Sequence, residues 1–445
     1  MKQNEVSLSQ AETLVVSYIS PKDVKPYRNN PKKHSDKQVH QLVNSIKEFS
    51  FNNPVLIDEN NELIAGHGRL LAALHLNLDV IPSIRLTHLT EGQKRAYRIA
   101  DNKLTENGDW DIDLLKLEFK DLDELDLNFD LDITGFDNQE IDLLFSPPKT
   151  IDKKLNEVPY IAEEDVISKK GDIWQLGKHR IICGDSLEKS TFESLLEGKQ
   201  ADMIFTDPPY NVKITGHVCG NGGVQHKEFA MASGEMTEDE FTKFLKTNFS
   251  LLCEFSKDGS LHYICMDWRH IKEISKAGHQ YSELKNLCVW NKTNAGMGSL
   301  YRSKHELVFV FKNGTLPHTN NVQLGSNGRY RTNVWDYAGV NTFKNTQLLK
   351  LHPTVKPVEM IRDAILDASN RGEIVLDCFL GSGSSLIACE KAKRVCYGIE
   401  YEPLYIDTAI LRWQELTGQD AIRVSDGKAY YEIIGEGENA NEEVI

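Results

Sequence analysis

Ile374-Val375-Leu376-Asp377-Cys378-Phe379-Leu380-Gly381-Ser382-Gly383-Ser384-Ser385-Leu386 reads as a short apolar strand, a glycine-bearing turn and the start of a helix. Glycine lets a ligand approach the backbone closely and tolerates positive φ. The next strand-like run, Arg394 to Ile399, ends in Glu400. An acid about 20 residues past such a turn accepts the two ribose hydroxyls of a bound nucleoside. Turn and acid together indicate a nucleoside cofactor without saying which. A nicotinamide dinucleotide calls for a third glycine where Leu386 stands.

Outward from this stretch, strand-like runs alternate with helical ones from about residue 158 onward: Arg180–Cys183, Met203–Thr206, Ser260–Cys265, Leu287–Trp290, Leu307–Phe311 and Val395–Ile399. Such alternation predicts an α/β sheet with helices on both faces. With 445 residues, 40% hydrophobic and 26% charged, the chain has the length for two or three domains and the balance of a globular enzyme. No run approaches 18 apolar residues and the first ten residues are polar, so a cytoplasmic protein is expected. The eight cysteines include no Cys-x-x-Cys pair, and no metal site is expected.

A second stretch carries the chemistry. Ala201-Asp202-Met203-Ile204-Phe205-Thr206-Asp207-Pro208-Pro209-Tyr210 is an apolar strand ending in an acid, two prolines and an aromatic ring. Prolines lack N–H groups and fix the local backbone. Asp207 and the Pro208 carbonyl then make a rigid pair of acceptors at the C-terminal edge of a sheet, where α/β proteins bind ligands. Two acceptors suit an –NH2 group, leaving its lone pair facing outward. Tyr210 offers a surface on which an unstacked base can lie. Hydride transfer has no use for such an element. Methylation at carbon 5 of cytosine needs a thiolate nucleophile, and no cysteine here follows a proline.

Asp207-Pro208-Pro209-Tyr210 with Asp377-Cys378-Phe379-Leu380-Gly381-Ser382-Gly383 resembles the DNA amino-methyltransferases, and the order of the two elements resembles their circularly permuted β group. Cys183-Gly184-Asp185 resembles the family element whose acid contacts the cofactor's adenine. His352-Pro353-Thr354-Val355-Lys356-Pro357 resembles the element that grips the methionine moiety. Val289 to Asn294 and Lys304-His305-Glu306 resemble the middle motifs. Cys378 stands where proline is common, and Ser384-Ser385 where threonines are common. The resemblance covers about residues 158 to 430. It implies a Rossmann-like sheet and S-adenosyl-L-methionine as methyl donor. Asp207, Pro208, Pro209 and Tyr210 would be the catalytic residues; Asp185, Thr354, Lys356, Asp377, Phe379, Gly381, Gly383 and Glu400 would hold the cofactor. The substrate would be double-stranded DNA, methylated at adenine N6 in preference to cytosine N4 because aspartate opens the tetrapeptide. A DNA-binding regulator with a dormant methylase fold and an RNA methyltransferase stay open as alternatives. A homodimer, a cognate restriction nuclease and a bacterial or phage source are further expectations of the family.

Charge is unevenly spread around the net −15. Residues 101 to 145 hold 15 acids against 3 bases, whereas residues 285 to 356 hold ten bases against two acids. Phosphate contacts depend on the local field, so the overall acidity does not exclude DNA. By family analogy the target-recognition region spans 312–351, where Arg329, Arg331 and Lys344 are the expected DNA contacts among aromatic residues. Gly216–Gly234 reads as a loop over the site. Near the N-terminus, Leu63-Ile64-Ala65-Gly66-His67-Gly68-Arg69-Leu70 is strand, turn and helix. Residues 15–100 resemble the ParB/sulfiredoxin-like α+β fold, although Gly68 stands where ParB proteins carry a second arginine and His67 where sulfiredoxins carry their cysteine. A DNA-contacting or regulatory accessory is expected there. An acidic helical segment and linker (101–157) and a frayed tail (431–445) complete the layout.

Overall fold

The computed structural model describes residues 14–125, 127, 129–145, 153–212, 232, 234–293, 300–322, 331–339 and 355–434. They form two compact units, Met1–Ser146 and Pro147–Ile445. Among the described residues no helix is long and apolar enough to cross a membrane.

The first unit carries four short strands, β1 (Val16–Ile19), β2 (Val55–Ile57), β3 (Leu63–Ala65) and β4 (Ile81–Arg85), in the order β1-β4-β2-β3. Helix α1 (Asp36–Phe49) begins where Ser35 accepts a hydrogen bond from the Gln38 amide, as the helical spacing of Val39, Leu42, Val43 and Ile46 predicts. Helix α2 (His67–His75) follows Gly66, whose φ of +99° suits glycine. Val55, Ile57, Leu63, Leu70 and Ile81 close the core between helices and sheet. Helices α3 (Glu91–Glu106), α4 (Ile112–Glu124) and α5 (Asn138–Phe145) follow, with Phe119, Leu131 and Ile141 in a small separate core. Asp58, Glu59 and Glu91 surround the buried Lys94 ammonium at 2.9–3.3 Å, so these acids already enclose a cation.

The second unit is built on a ten-stranded sheet. Its centre is parallel: β8 (Ser256–Met266), β7 (Ala201–Thr206), β12 (Ile374–Asp377), β13 (Val395–Glu400) and β6 (His179–Cys183) lie side by side in that order. Antiparallel β10 (His305–Lys312) and β9 (Glu283–Lys292) extend one edge, with β11 (Val334–Tyr337) parallel to β9 outside them. Strands β5 (Ile173–Leu176) and β14 (Ile422–Arg423) extend the other. The central strands are apolar on both faces, which is what burial on both sides demands. Met203, Phe205 and Val375 face one way, in a core with Ile361, Ile365 and Ile410 from α9 (Val358–Ala368) and α11 (Pro403–Thr417). Ile204, Leu376 and Ile399 face the other, in a core with Phe192 of α6 (Lys189–Leu196), Phe241, Leu245 and Phe249 of α7 (Glu238–Glu254) and Ile274 of α8 (Ile271–Ala277). The expected α/β sheet, with helices on both faces, is therefore present, alongside a smaller α+β unit.

The chain passes from β7 to neighbouring β8 on one side and from β12 to neighbouring β13 on the other. Between β7 and β12 the connections diverge, leaving a crevice at the C-terminal ends of both strands. The two stretches singled out in the sequence end there.

Candidate active site

Strand β7 delivers Asp207 through Tyr210, and β12 delivers Asp377 and the glycine turn. Register pairs Ile204 with Leu376, so the turns leave the sheet side by side. They open onto one cavity of about 590 Å³, lined by Asp207, Pro208, Tyr210, Phe379, Gly381 and Glu400 among others.

Each glycine of the turn has its own reason. Gly381 has φ +53°, and a methyl group built there would meet no other atom within 4 Å, so its exposed face is bare backbone at the cavity. Gly383 has φ +83° and caps α10 (Ser384–Ala392), and a Cβ there would lie 2.8 Å from the Ala409 Cβ on α11. Gly383 is thus a packing glycine, one step from the cavity it was expected to line.

Asp377 is filled by the chain's own donors. Thr206 and the Phe379 amide donate to Oδ1 at 2.8 and 3.1 Å, and Ser385 donates to Oδ2 at 2.6 Å. Burial pushes its carboxyl up to about 6 against those hydrogen bonds. Asp377 therefore fixes the shape of the turn. Glu400 accepts from the Gly381 amide at 2.7 Å and the Glu402 amide at 2.8 Å. Burial raises it to about 7, opposed by these two amides. Asp185 accepts from the Leu187 amide at 2.8 Å and closes its own turn, while adjacent Ser186 reaches the cavity wall.

At the catalytic tetrapeptide, both oxygens of Asp207 are engaged. The Tyr210 hydroxyl donates to Oδ1 at 2.5 Å and Lys356 Nζ to Oδ2 at 2.5 Å. Tyr210 is thus tied by its hydroxyl as well as offering a ring, and Lys356, expected at the cofactor, lines the cavity with its ammonium on Asp207 and Glu306. Burial pushes Asp207 up, countered by the Lys356 charge; the Asp207 and Glu306 charges hold Lys356 protonated despite its own burial.

Glu306, at the start of β10, belongs to the Lys304-His305-Glu306 motif, for which the sequence suggests no role at the site. Burial pushes it up, yet Lys356 and Lys292 together hold it down at about 2. The signal was present: an acid opening the run Leu307-Val308-Phe309-Val310-Phe311, whose residues are all buried, needs a counter-charge.

Arg331 is a correction. It was expected at DNA, but its guanidinium turns inward to Asp363 at 3.2 Å and Asp367 at 2.6 Å on α9, and also donates to the Tyr337 hydroxyl at 3.2 Å. Two carboxylates hold it, so it anchors β11 to α9 and does not present its fork to a base edge. Arg329, Lys344, Thr354 and nearly all of Gly216–Gly234 lie outside the described residues.

Residues 201–411 match the family described as DNA methylase, residues 3–103 the ParB N-terminal domain, and residues 113–170 a ParB-methyltransferase HTH domain. The chain thus carries a region matching the DNA methylase family joined to a ParB-type N-terminal domain. The ParB-like nuclease domain-containing protein YnaK of Escherichia coli is 49% identical over 85 residues, spanning 19% of this chain and 98% of that protein. Type II methyltransferase M.HpaI of Haemophilus parainfluenzae is 26% identical over 260 residues, spanning 55% of this chain and 77% of the relative. Among solved structures, the cytosine-N4-specific PvuII DNA methyltransferase is 17% identical with a TM-score of 0.40, covering 54% of this chain and 87% of its own.

Proposed function

We propose that this chain is a site-specific DNA methyltransferase that moves a methyl group from S-adenosylmethionine to an exocyclic base amine, adenine N6 in preference to cytosine N4. The observation that carries the reading is that the glycine turn and Asp207 open on one cavity. The donor set fits the cofactor: a buried carboxylate for a diol at Glu400, bare backbone at Gly381, and the Phe379 ring on the cavity wall. When bound, S-adenosylmethionine supplies an electrophilic methyl carbon on a positively charged sulfur.

The remaining work belongs to the protein. Asp207 and the Pro208 carbonyl accept the two amine hydrogens and turn the nitrogen lone pair toward the cavity. Holding the amine in line and close supplies much of the acceleration. The Asp207 charge would stabilise the positive charge that develops on nitrogen as the N–C bond forms and the carbon–sulfur bond breaks, the electron pair staying on sulfur as a neutral thioether and the surplus amine proton passing to water. Residues 312–351 are proposed to read the DNA, with Arg329 and Lys344 as contacts. Aspartate at position 207 supports adenine.

The test is transfer of tritiated methyl from labelled cofactor to unmethylated DNA, followed by mass spectrometry of the nucleosides. N6-methyladenine is expected. N4-methylcytosine would overturn the choice of base, and unlabelled DNA would leave a DNA-binding regulator on a dormant methylase fold.

Cofactor binding is expected to depend on pH through Glu400. Ribose hydroxyls donate to the ionised carboxylate, and Glu400 takes up its proton near pH 7. Affinity should therefore be full above that pH and weaken roughly tenfold per unit below it, since binding competes with one proton. Calorimetry between pH 5.5 and 8.5 checks this, and Glu400→Gln should remove the step near 7. An unchanged step in that variant would place the ribose elsewhere.

A further inference from the structure

Both donors that cover Asp207 are shared with a second acid. Lys356 Nζ lies 2.5 Å from Asp207 Oδ2 and 3.1 Å from Glu306 Oε2. The Tyr210 hydroxyl lies 2.5 Å from Asp207 Oδ1 and 3.3 Å from the same Glu306 Oε2. Lys292 holds Glu306 on its other oxygen, Oε1. One oxygen of Glu306 thus faces both groups that occupy Asp207.

This arrangement is wrong for methyl transfer as it stands. A lysine on Oδ2 fills one of that oxygen's two acceptor positions and puts a cation beside the incoming amine. It also cancels the negative charge that should stabilise a cationic nitrogen. The Lys356 side chain is only 5% exposed, whereas Asp207 keeps 23%, so the amine reaches Asp207 but water does not take over the ammonium. A charge moved off its partner in such a place needs another partner at hand.

We propose that Glu306 is a positioning residue for the transfer: as the amine reaches Asp207, the Lys356 ammonium and the Tyr210 hydroxyl pass to Glu306 Oε2, leaving Asp207 an uncovered acceptor. This rests on the amino-methyltransferase reading of the site. No proton changes hands. Lys356 stays an ammonium, Tyr210 a phenol and both acids carboxylates; only hydrogen bonds are exchanged. Lys292 keeps Oε1 occupied, so the exchange falls on Oε2.

Asp207 is faced by Lys356 before α9, Glu306 on β10, Tyr210 on its own loop, Cys265 on β8 and Asp377 on β12. Glu306→Gln removes a negative neighbour and leaves Lys356 wholly on Asp207, so Asp207 ionises more easily. The acid limb of the rate profile should then move to lower pH. Lys292→Gln removes a positive charge from the cluster and should move that limb to higher pH. A residue that only supports the fold would not shift the limb in opposite directions.

The experiment is single-turnover methylation of unmethylated plasmid DNA by the full chain, with saturating tritiated S-adenosylmethionine, across pH. Glu306→Gln should lower the plateau on the order of 100-fold, the scale of an ångström-sized misplacement. Cofactor affinity by calorimetry should stay within about twofold, because the loss lies in the transfer step. Glu306→Asp should recover part of the rate. A Glu306→Gln plateau close to wild type, or limbs that stay put or move together, overturns the proposal. If Glu306→Gln does not fold, Lys292→Gln decides alone, because its side chain is 26% exposed and its limb must rise. Wild-type protein that labels no DNA would sink the methylase reading itself, a different result from either.

Discussion

Asp207→Ala should lower the single-turnover rate of methyl transfer by roughly two to four orders of magnitude, the usual worth of a preorganised group acting on charge in the transition state. Alanine leaves the Pro208 carbonyl to hold one amine hydrogen, and nothing to offset positive charge on nitrogen. The fold should survive, because Lys356 keeps Glu306 as its partner at 3.1 Å. Cofactor affinity should be nearly unchanged, since the glycine turn and Glu400 do not hydrogen-bond to Asp207. Rate and affinity are measured on one preparation, by labelled transfer and by calorimetry. Turnover near that of the wild type would end the proposed mechanism.

Arg331→Met should destabilise the second unit by about 3–5 kcal/mol, the cost of leaving the buried Asp367 carboxylate without that cation, while Asp363 keeps Arg362 and the Tyr337 hydroxyl. Asp363 and Asp367 lie one turn apart on α9 and share the guanidinium, and Asp367 is 7% exposed. Methionine fills similar space and supplies no charge. A double variant, Arg331→Met with Asp367→Asn, should recover more than half of the loss by removing one stranded charge. Denaturant melts of all three proteins check both statements. Unchanged stability together with altered site preference would return Arg331 to the role of a base reader.

The fold was legible because the central strands are apolar on both faces, as at Met203-Ile204-Phe205 and Val375-Leu376, a pattern that only a covered parallel strand needs. Both site elements were legible for a related reason: an acid or a glycine directly after such a strand has left the ladder and is free for chemistry. What escaped depended on partners distant in sequence. An arginine in a polar stretch reads equally as a DNA contact or as half of an ion pair. Only the packing of β11 against α9 brings Arg331 to two acids at i and i+4. Glu306 was visible as part of a motif, but its place at Asp207 escaped likewise, because that comes from Lys356 and Tyr210, which other elements bring to it. Nor could the sequence show that Gly383 answers to Ala409 while Gly381 answers to the cavity.

The placing of β7 beside β12 and of β6 beside β13 also governs how the protein is made. Arg180 pairs with Tyr397, and Met203 with Val375. A ribosome adding about 5–20 residues per second needs about 10–40 s to pass from the first of each pair to the second. Throughout that interval β6 and β7 each lack one of the two neighbours that will flank them, β13 and β12, and the unpaired edge is open to solvent or a chaperone. Such distant pairings also make folding slow. Nascent chains stalled short of residue 377 should therefore be cut by protease within 173–266, and chains stalled well past residue 423 should resist. Equal resistance at both lengths would mean that the first strands find a temporary cover of their own.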